Sequence, residues 1–441
     1  MKLKDIQLTD ILRIDYLLLL PVLVLIIIGV LFIYSSGVTY EGEQVSNEYV
    51  RQIIWATISL FALFAISLIN YRRFYNFSMY IYIFALISLL YTLFFGHVIY
   101  NASRWIRIGS MGIQMSEFVK IIVIIMLARY LADTDHIKES FPRFLMSCII
   151  VIIPMGMVLL QPDLGTALVY IAILLIMIFI AGVKMRYVAF MISCIVLTGI
   201  LLGLPIWQTY ILQRSISFIV ILTNIRFLLL IVLFFLIIAA IAFFGYRKYK
   251  KRYFFWVVYA AAIIIFSLLA SYAGRIVLKD YQMMRLIVFL NPNVDPRGAG
   301  WNIIQSVTAI GSGGFAGRGY LQGTQSHYRF LPEQSTDFIF SIFSEEAGFI
   351  GGLFVFALFF LICYRLMVIM KTVTDPFAKY ICTGLAGMIG FHFIINVGMT
   401  MGIMPITGLP LLFLSYGGSS ILSSMIAIGI VQNIYINRFN R

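Results

Sequence analysis

At 441 residues, with 62% hydrophobic and only 11% charged positions, the chain carries too little charge for a soluble protein, in which about a quarter of residues are charged. Its formal net charge of +14 lies in short connections between apolar runs, the distribution expected of a membrane protein's inner loops, and so argues against nucleic acid as the partner. The four cysteines, Cys148, Cys194, Cys363 and Cys382, fall in or at the ends of apolar runs without ligand-like spacing, which supports neither a zinc site nor a disulfide frame.

The apolar runs recur along the whole chain, each about 20 residues and able to cross about 30 Å of hydrocarbon. Backbone groups in lipid must pair within their own segment, so the runs are expected to be helices. The short alternating segments of a β-barrel do not appear. In chain order twelve helices are predicted, at about 16–36, 51–69, 76–95, 116–132, 144–161, 166–183, 187–206, 227–245, 253–272, 338–362, 379–401 and 411–434. The first run is too long for a signal-peptide core and has no small-residue cleavage site, so it is expected to remain as a helix.

Charge sets the orientation. Alternate connections carry Arg72 and Arg73; Lys138 and Arg143; Lys184 and Arg186; Arg247, Lys248, Lys250, Lys251 and Arg252; and Arg365 and Lys371. With Lys2 and Lys4 at one end and Arg438 and Arg441 at the other, both ends are expected in the cytoplasm, as an even number of crossings requires. Two outer connections break this charge rule. One, at 96–115, holds Arg104 and Arg107. The other, from about 273 to 336, holds Arg275, Lys279, Arg285, Arg297, Arg318 and Arg329 among many glycines. It is too long for a mere connector, and its apolar content at 301–310 argues for a folded extracytoplasmic loop of short amphipathic helices. Outer basic side chains suit the phosphates of a lipid-linked substrate, although arginine snorkelling to headgroups would give the same pattern.

Two segments carry candidate chemistry. From Asp337, helical spacing aligns Asp337, Ser341, Ser344, Glu345 and Gly348 on one face, against Phe338, Ile339, Ile342, Phe343 and Ala347 on the other. Such a polar stripe faces protein or a water cavity. Asp337 is placed at its outer mouth, with Glu333 one turn earlier. Acids in this setting fit a proton relay, a structural ion pair or a general base, and spacing alone does not choose. A helix N-terminus would stabilise the carboxylate and weaken it as a base, whereas burial acts the other way. The second segment is Arg104-Trp105-Ile106-Arg107-Ile108-Gly109, followed by Gln114-Met115-Ser116-Glu117-Phe118-Val119-Lys120. Ser116 is read as an N-cap and Glu117 as a first-turn acid. Lys120, one turn inside, needs an anion to offset its charge.

These residues, in this order, resemble the SEDS family (shape, elongation, division and sporulation), specifically its RodA-like elongation branch. The matching stretches include 104–109, 114–120, Gln161-Pro162-Asp163-Leu164-Gly165-Thr166, 291–300 and 305–319. They continue with Gly323-Thr324-Gln325-Ser326-His327, Leu331-Pro332-Glu333-Gln334-Ser335-Thr336-Asp337, 345–351, Asn396-Val397-Gly398-Met399, 405–408 and Ser415-Tyr416-Gly417-Gly418-Ser419-Ser420. Nearly the whole chain is covered except roughly 207–272. The resemblance implies a peptidoglycan glycosyltransferase that polymerises lipid II outside the bacterial cytoplasmic membrane and releases undecaprenyl pyrophosphate. Asp337 matches the family's essential aspartate, proposed to deprotonate the acceptor hydroxyl. Lys120, Arg104, Arg107, Trp105, Glu333 and Glu345 are expected to bind substrate. A class B penicillin-binding protein and the rest of the elongation machinery are the implied partners. No cofactor is specified, and a divalent cation stays open.

Three departures stand out. Ser335 replaces the family's usual His before Thr-Asp, Met115 replaces a common Pro before Ser-Glu, and two spans are added to the usual ten. The fold expected is therefore an all-α polytopic membrane protein of about twelve transmembrane helices, a single domain over 1–441. Within it, 207–272 is an inserted helical hairpin, with its spans inside 227–272, and 273–337 is the large outer loop. A lipid II flippase is the competing reading, as is a division-branch polymerase or an inactive scaffold. The apolar inner half of the 338–362 helix favours polymerisation over a path through the membrane.

Overall fold

Each of the twelve apolar runs forms a helix, and several start at a side chain that accepts a backbone N–H left free at a helix start. The computed structural model describes residues 14–438 apart from 100, 101, 109, 110, 213, 215 and 297. Side chains at 97–99, 102–104, 107, 108, 111, 220, 280 and 299 also lie outside the description. Lys2, Lys4, Arg297 and Arg441, which entered the charge argument, are therefore outside the described residues.

Contacts divide the chain into two compact bodies, residues 1–182 with 301–441, and residues 183–300. The first body opens with α1 (Tyr16–Ser36), α2 (Glu48–Leu68) and α3 (Arg72–Phe95). Asp15 caps α1 by accepting from Leu18 N, and its other carboxylate oxygen pairs with Arg365 at 2.5 Å. Strands β1 (His97–Ile99), β2 (Ala102–Ile108) and β3 (Met111–Gln114) follow as an antiparallel sheet in that order. This sheet was not expected. The connection 96–115 is rich in the branched and aromatic residues that strands favour, and only Gly109 and Ser110 separate its two longer runs, a spacing that marks hairpins.

Next come α4 (Met115–Asp133), α5 (Phe141–Leu160) and α6 (Leu164–Ile180), the last two capped by Ser140 and Asp163. Ser116 is not the N-cap of α4. The helix already includes it, and Gln114 precedes the first turn without a side-chain cap. The second body holds α7 (Met185–Trp207), α8 (Ser217–Thr223), α9 (Ile225–Tyr249), α10 (Arg252–Val277) and α11 (Asp280–Leu290). Helices α9 and α10 pack on each other, and Leu222, Leu228, Val232 and Leu268 form a small core between α8, α9 and α10. Helix α10 runs about a turn beyond its predicted end, so the long connection begins later than expected.

In that connection α12 (Ala299–Ser312) and α13 (Thr324–His327) lead to α14 (Ile339–Thr372), then α15 (Pro376–Thr400) and α16 (Gly418–Ile436). Helix α16 packs on α2 and α14 on α1 and α15. Among the described residues ten helices are long and apolar enough to cross a membrane. The other two predicted spans are α6, apolar but 17 residues long, and α4, which carries Glu117, Lys120, Arg129 and Asp133. The protein is a nearly all-helical multi-pass membrane protein.

Asp337 lies in the turn before α14. The start of the helix departs from the sequence reading in two respects. Phe338, Ile339, Ile342 and Phe343 are as buried as Ser341, Ser344 and Glu345, so there is no greasy face turned to lipid. The helix also breaks at Gly348, whose φ of 67° and ψ of −165° suit only glycine.

Candidate active site

Breaking a helix leaves backbone groups that need partners. At Gly348 a glycine-rich loop supplies them. Arg318 N and Gly319 N donate to the carbonyls of Glu345 (3.1 Å) and Glu346 (3.0 Å), while Phe349 N and Ile350 N donate to those of Gly314 (3.0 Å) and Phe315 (3.2 Å). A Cβ on Gly348 would lie 2.2 Å from Gly317 N, so two backbones meet here without side chains.

The same break sends two adjacent carboxylates into the loop. Glu345, fully buried, accepts from Gln325 N (2.8 Å), Ser326 N (3.2 Å), Thr324 Oγ1 (3.2 Å) and Ser326 Oγ (3.3 Å). Its carboxylate thus fixes the start of α13 and does not present itself to a substrate, contrary to the expectation from sequence. Glu346 accepts from Ser35 Oγ and Leu321 N (3.0 Å), with His327 Nε2 3.6 Å away. His327 in turn donates from Nδ1 to Val38 O at 2.8 Å, so the segment after α1 is tied to the loop. Tyr320, outside the helices, donates to Leu31 O, and burial together with the Glu346 charge pushes its phenol pKa up. Glu346, His327 and Ser35 were missed in the sequence, because their pairing joins residues about 290–310 apart in the chain.

The turn that carries Asp337 is held by its backbone. Three successive carbonyls are captured: Ser335 O by Tyr416 N (2.8 Å), Thr336 O by Ser415 Oγ (2.6 Å) and Asp337 O by Asn396 Nδ2 (2.9 Å). Asn396 also donates to Leu409 O at 2.8 Å, and Ser415 Oγ accepts from Leu411 N at 2.9 Å. Gln52 closes the other side, donating to Ser415 O and accepting from Gly417 N, both at 3.2 Å. These three captures grip main chain, so the turn that carries the half-buried Asp337 is fixed through its backbone. Glu333 is exposed with φ 51°; its carbonyl receives Phe338 N and its carboxylate receives Thr336 Oγ1 at 3.2 Å. It remains close in sequence to Asp337 and open to solvent.

Segment 415–419 also anchors the sheet. Gln114 N donates to Ser419 Oγ at 2.9 Å, and Gln114 Nε2 bridges Ser116 Oγ (3.0 Å) and Asp163 Oδ2 (3.1 Å). Strand β2, with Trp105 paired to Gln114 and Arg107 to Gly112, is thereby bolted to the same stretch that holds the Asp337 turn. Trp105 is half-buried with its ring against Gly112. The side chains of Arg104 and Arg107 lie outside the described set.

Lys120 is not at the surface. Its ammonium is buried and lies 3.0 Å from each Glu117 oxygen and 3.0 Å from His392 Nε2. The anion its charge requires is therefore internal, on the acid first assigned to helix-dipole stabilisation alone, and neither phosphate contact nor snorkelling describes it. Among the described residues no cluster of His, Cys, Asp and Glu could hold a metal ion.

Comparison with known proteins gives concordant matches. The family described as FTSW_RODA_SPOVE, cell cycle protein, matches residues 15–226 and 216–440. The chain is 48% identical over 420 residues to "Peptidoglycan glycosyltransferase RodA" of Treponema pallidum (strain Nichols), covering 95% of this chain and 97% of that protein. It is 30% identical over 433 residues to "Stage V sporulation protein E" of Bacillus subtilis (strain 168), covering 97% and 98%. The solved structure described as "Structural coordination of polymerization and crosslinking by a peptidoglycan synthase complex" superposes with a TM-score of 0.67 at 22% identity, covering 97% of this chain and 99% of that one. Thermus thermophilus rod shape determining protein RodA gives 0.59 at 20% identity, over 97% and 98%. At these identities the two structures establish a shared fold.

Proposed function

The chain belongs to the FTSW_RODA_SPOVE family of cell cycle proteins, and from that premise we propose that it polymerises lipid II into glycan strands during cell-wall elongation. It is a peptidoglycan glycosyltransferase, as is the relative with which it shares 48% of residues over 95% of its length. The observation that carries the site assignment is the backbone clamp, in which three donors, from Asn396 and from the adjacent Ser415 and Tyr416, fix the Asp337 turn through its carbonyls.

In the proposed reaction the acceptor sugar's hydroxyl oxygen attacks the anomeric carbon of the donor. The bond from that carbon to the pyrophosphate oxygen breaks, the hydroxyl proton passes to the Asp337 carboxylate, and undecaprenyl pyrophosphate leaves. A positioned general base contributes roughly two to four orders of magnitude. Arg104 and Arg107, on the strand bolted to segment 415–419, are assigned to the leaving pyrophosphate, since charge-assisted contacts to phosphate are the stronger hydrogen bonds. Trp105 and Glu333 are assigned to the sugar, whereas Glu345 and Lys120 support the site from within.

The reading places a single domain over 1–441 in the bacterial cytoplasmic membrane, its active site extracytoplasmic, with 207–272 as an inserted hairpin and 273–337 as the outer loop. A class B penicillin-binding protein is the proposed partner. Its test is direct: the purified chain, that partner and labelled lipid II are incubated and the products separated by length. Long glycan strands support the reading; translocation of lipid II without any polymer would replace it with the flippase.

A further inference from the structure

Helix α15 presents His392 and Asn396 one turn apart on one face, and each reaches a carbonyl of the adjacent pair Leu409 and Pro410. Asn396 donates to Leu409 O at 2.8 Å as well as to Asp337 O at 2.9 Å. His392 Nδ1 lies 3.2 Å from Pro410 O, and its Nε2 lies 3.0 Å from Lys120 Nζ. The hydrogen-bond roles follow without ambiguity. A carbonyl only accepts and a lysine ammonium only donates, so Nδ1 carries the ring proton and Nε2 offers its lone pair. The neutral imidazole thus has both nitrogens engaged. Lys120 has its donors directed at two Glu117 oxygens and one imidazole nitrogen, an arrangement that satisfies a charge buried to 1% exposure.

We propose that His392 is a positioning residue for the polymerase. It links the buried Glu117–Lys120 pair on α4 to the 409–410 backbone, from which Asn396 reaches the Asp337 carbonyl. It acts through Lys120 and the Asp337 turn and does not itself touch substrate. Removing it leaves one Lys120 donor without a partner in a water-poor interior and frees Pro410 O, and both losses shift the backbone on which the Asp337 turn rests. A misplacement of about 1 Å at a reacting group can cost about a hundredfold in rate.

The inference rests on the polymerase reading, so its test runs wild type and Asp337→Asn alongside. The chain is purified with its class B penicillin-binding protein, and kcat and KM for lipid II are measured for His392→Gln, His392→Leu and His392→Asn, with folded fraction followed by thermal unfolding. Glutamine carries an acceptor and a donor about as far apart as the two ring nitrogens, so it can bridge Lys120 and Pro410. It is expected within about threefold of wild-type kcat. Leucine bridges neither, and asparagine is long enough for Pro410 but not for Lys120. Both are expected to lose roughly tenfold to a hundredfold in kcat at nearly constant KM. Wild-type kcat in the folded fraction of either variant would overturn the proposal, even if thermal stability fell, because it would leave His392 a packing residue. A glutamine variant as slow as leucine would also overturn it. Failure of the wild type itself to make polymer would instead sink the underlying reading.

Discussion

Asn396 donates its side-chain amide to the main-chain oxygen of Asp337 across 59 residues of sequence, at 2.9 Å. The bond fixes where the aspartate is without engaging the carboxylate through that contact. Together with the captures of Ser335 O and Thr336 O it makes the turn a preset mount, and none of the three captures uses the carboxylate.

Asp337→Asn is accordingly expected to abolish strand formation while the protein folds and purifies as wild type, since none of the three carbonyl bonds involves the altered group. The check is a polymerisation gel beside a thermal unfolding curve. Near-normal strands from this variant would remove the general-base assignment.

Asn396→Ala removes the donor to two partly or fully buried carbonyls. Leaving a buried acceptor unsatisfied costs about 1–3 kcal/mol, so thermal stability should fall measurably. Turnover in the remaining folded protein should fall further, because the Asp337 turn loses one of its three mounts. Equal kcat in the folded fraction would show that the other two suffice.

The helices were legible in the sequence because a run of apolar residues states its environment residue by residue, and both length and charge then follow. The site was legible only as a set of residue types. Lys120 is an instance: Glu117 three residues earlier is a local signal, but it was assigned to helix capping, and His392 lies 272 residues away with nothing local to mark it. The mounts of Asp337 come from Asn396, Ser415 and Tyr416, and a backbone carbonyl leaves no trace in the sequence of which donor it meets. Glu345 was misjudged for a related reason. Helical spacing placed it correctly beside Ser341 and Ser344, but the break at Gly348 and the loop folded into it decide what that face meets.

Glu345→Gln tests that loop. The amide is isosteric, but its –NH2 replaces one of the two oxygens, so either Gln325 N or Ser326 N would face a donor in place of an acceptor. Hydrogen bonds to a charged group contribute about 1.5–3 kcal/mol each, so amide exchange across 323–327 should accelerate by roughly tenfold to a hundredfold. Unchanged protection by hydrogen-exchange mass spectrometry would show the loop is held by other contacts.

Gly348→Ala places a methyl 2.2 Å from Gly317 N on a backbone at φ 67°. The dihedral alone costs about 1–3 kcal/mol, and the clash is with main chain, which has no rotamer to give. Low yield and a lowered unfolding temperature are expected. A stable, active Gly348→Ala protein would mean the helix runs unbroken.

The last prediction concerns the hairpin α9–α10, which lies outside the motif stretches read from the sequence although the family model extends over it. Its turn holds Arg247, Lys248, Lys250, Lys251 and Arg252, with Lys250 at φ 49° closing α9 by its N–H to Tyr246 O. Basic residues near an anionic leaflet contribute about 1 kcal/mol each, so five in six positions should hold the turn firmly at the cytoplasmic surface. Neither helix carries an acid, and among the described residues their packing is with each other, α7 and α8. Nothing in the pair suggests chemistry, and contact with lipid or a partner is its expected role. A cysteine at Lys250 should resist a membrane-impermeant thiol reagent applied to intact spheroplasts, whereas one at Gln322 in the outer loop should react. The four native cysteines supply the background in the parent protein. Reaction at Lys250 from outside would overturn the twelve-crossing topology and, with it, the placement of Asp337 on the outer side. On the proposed topology, excision of 227–272 leaves an even number of crossings and the same side for Asp337, so a folded excised protein should still polymerise; its inactivity would give the hairpin a part in the reaction.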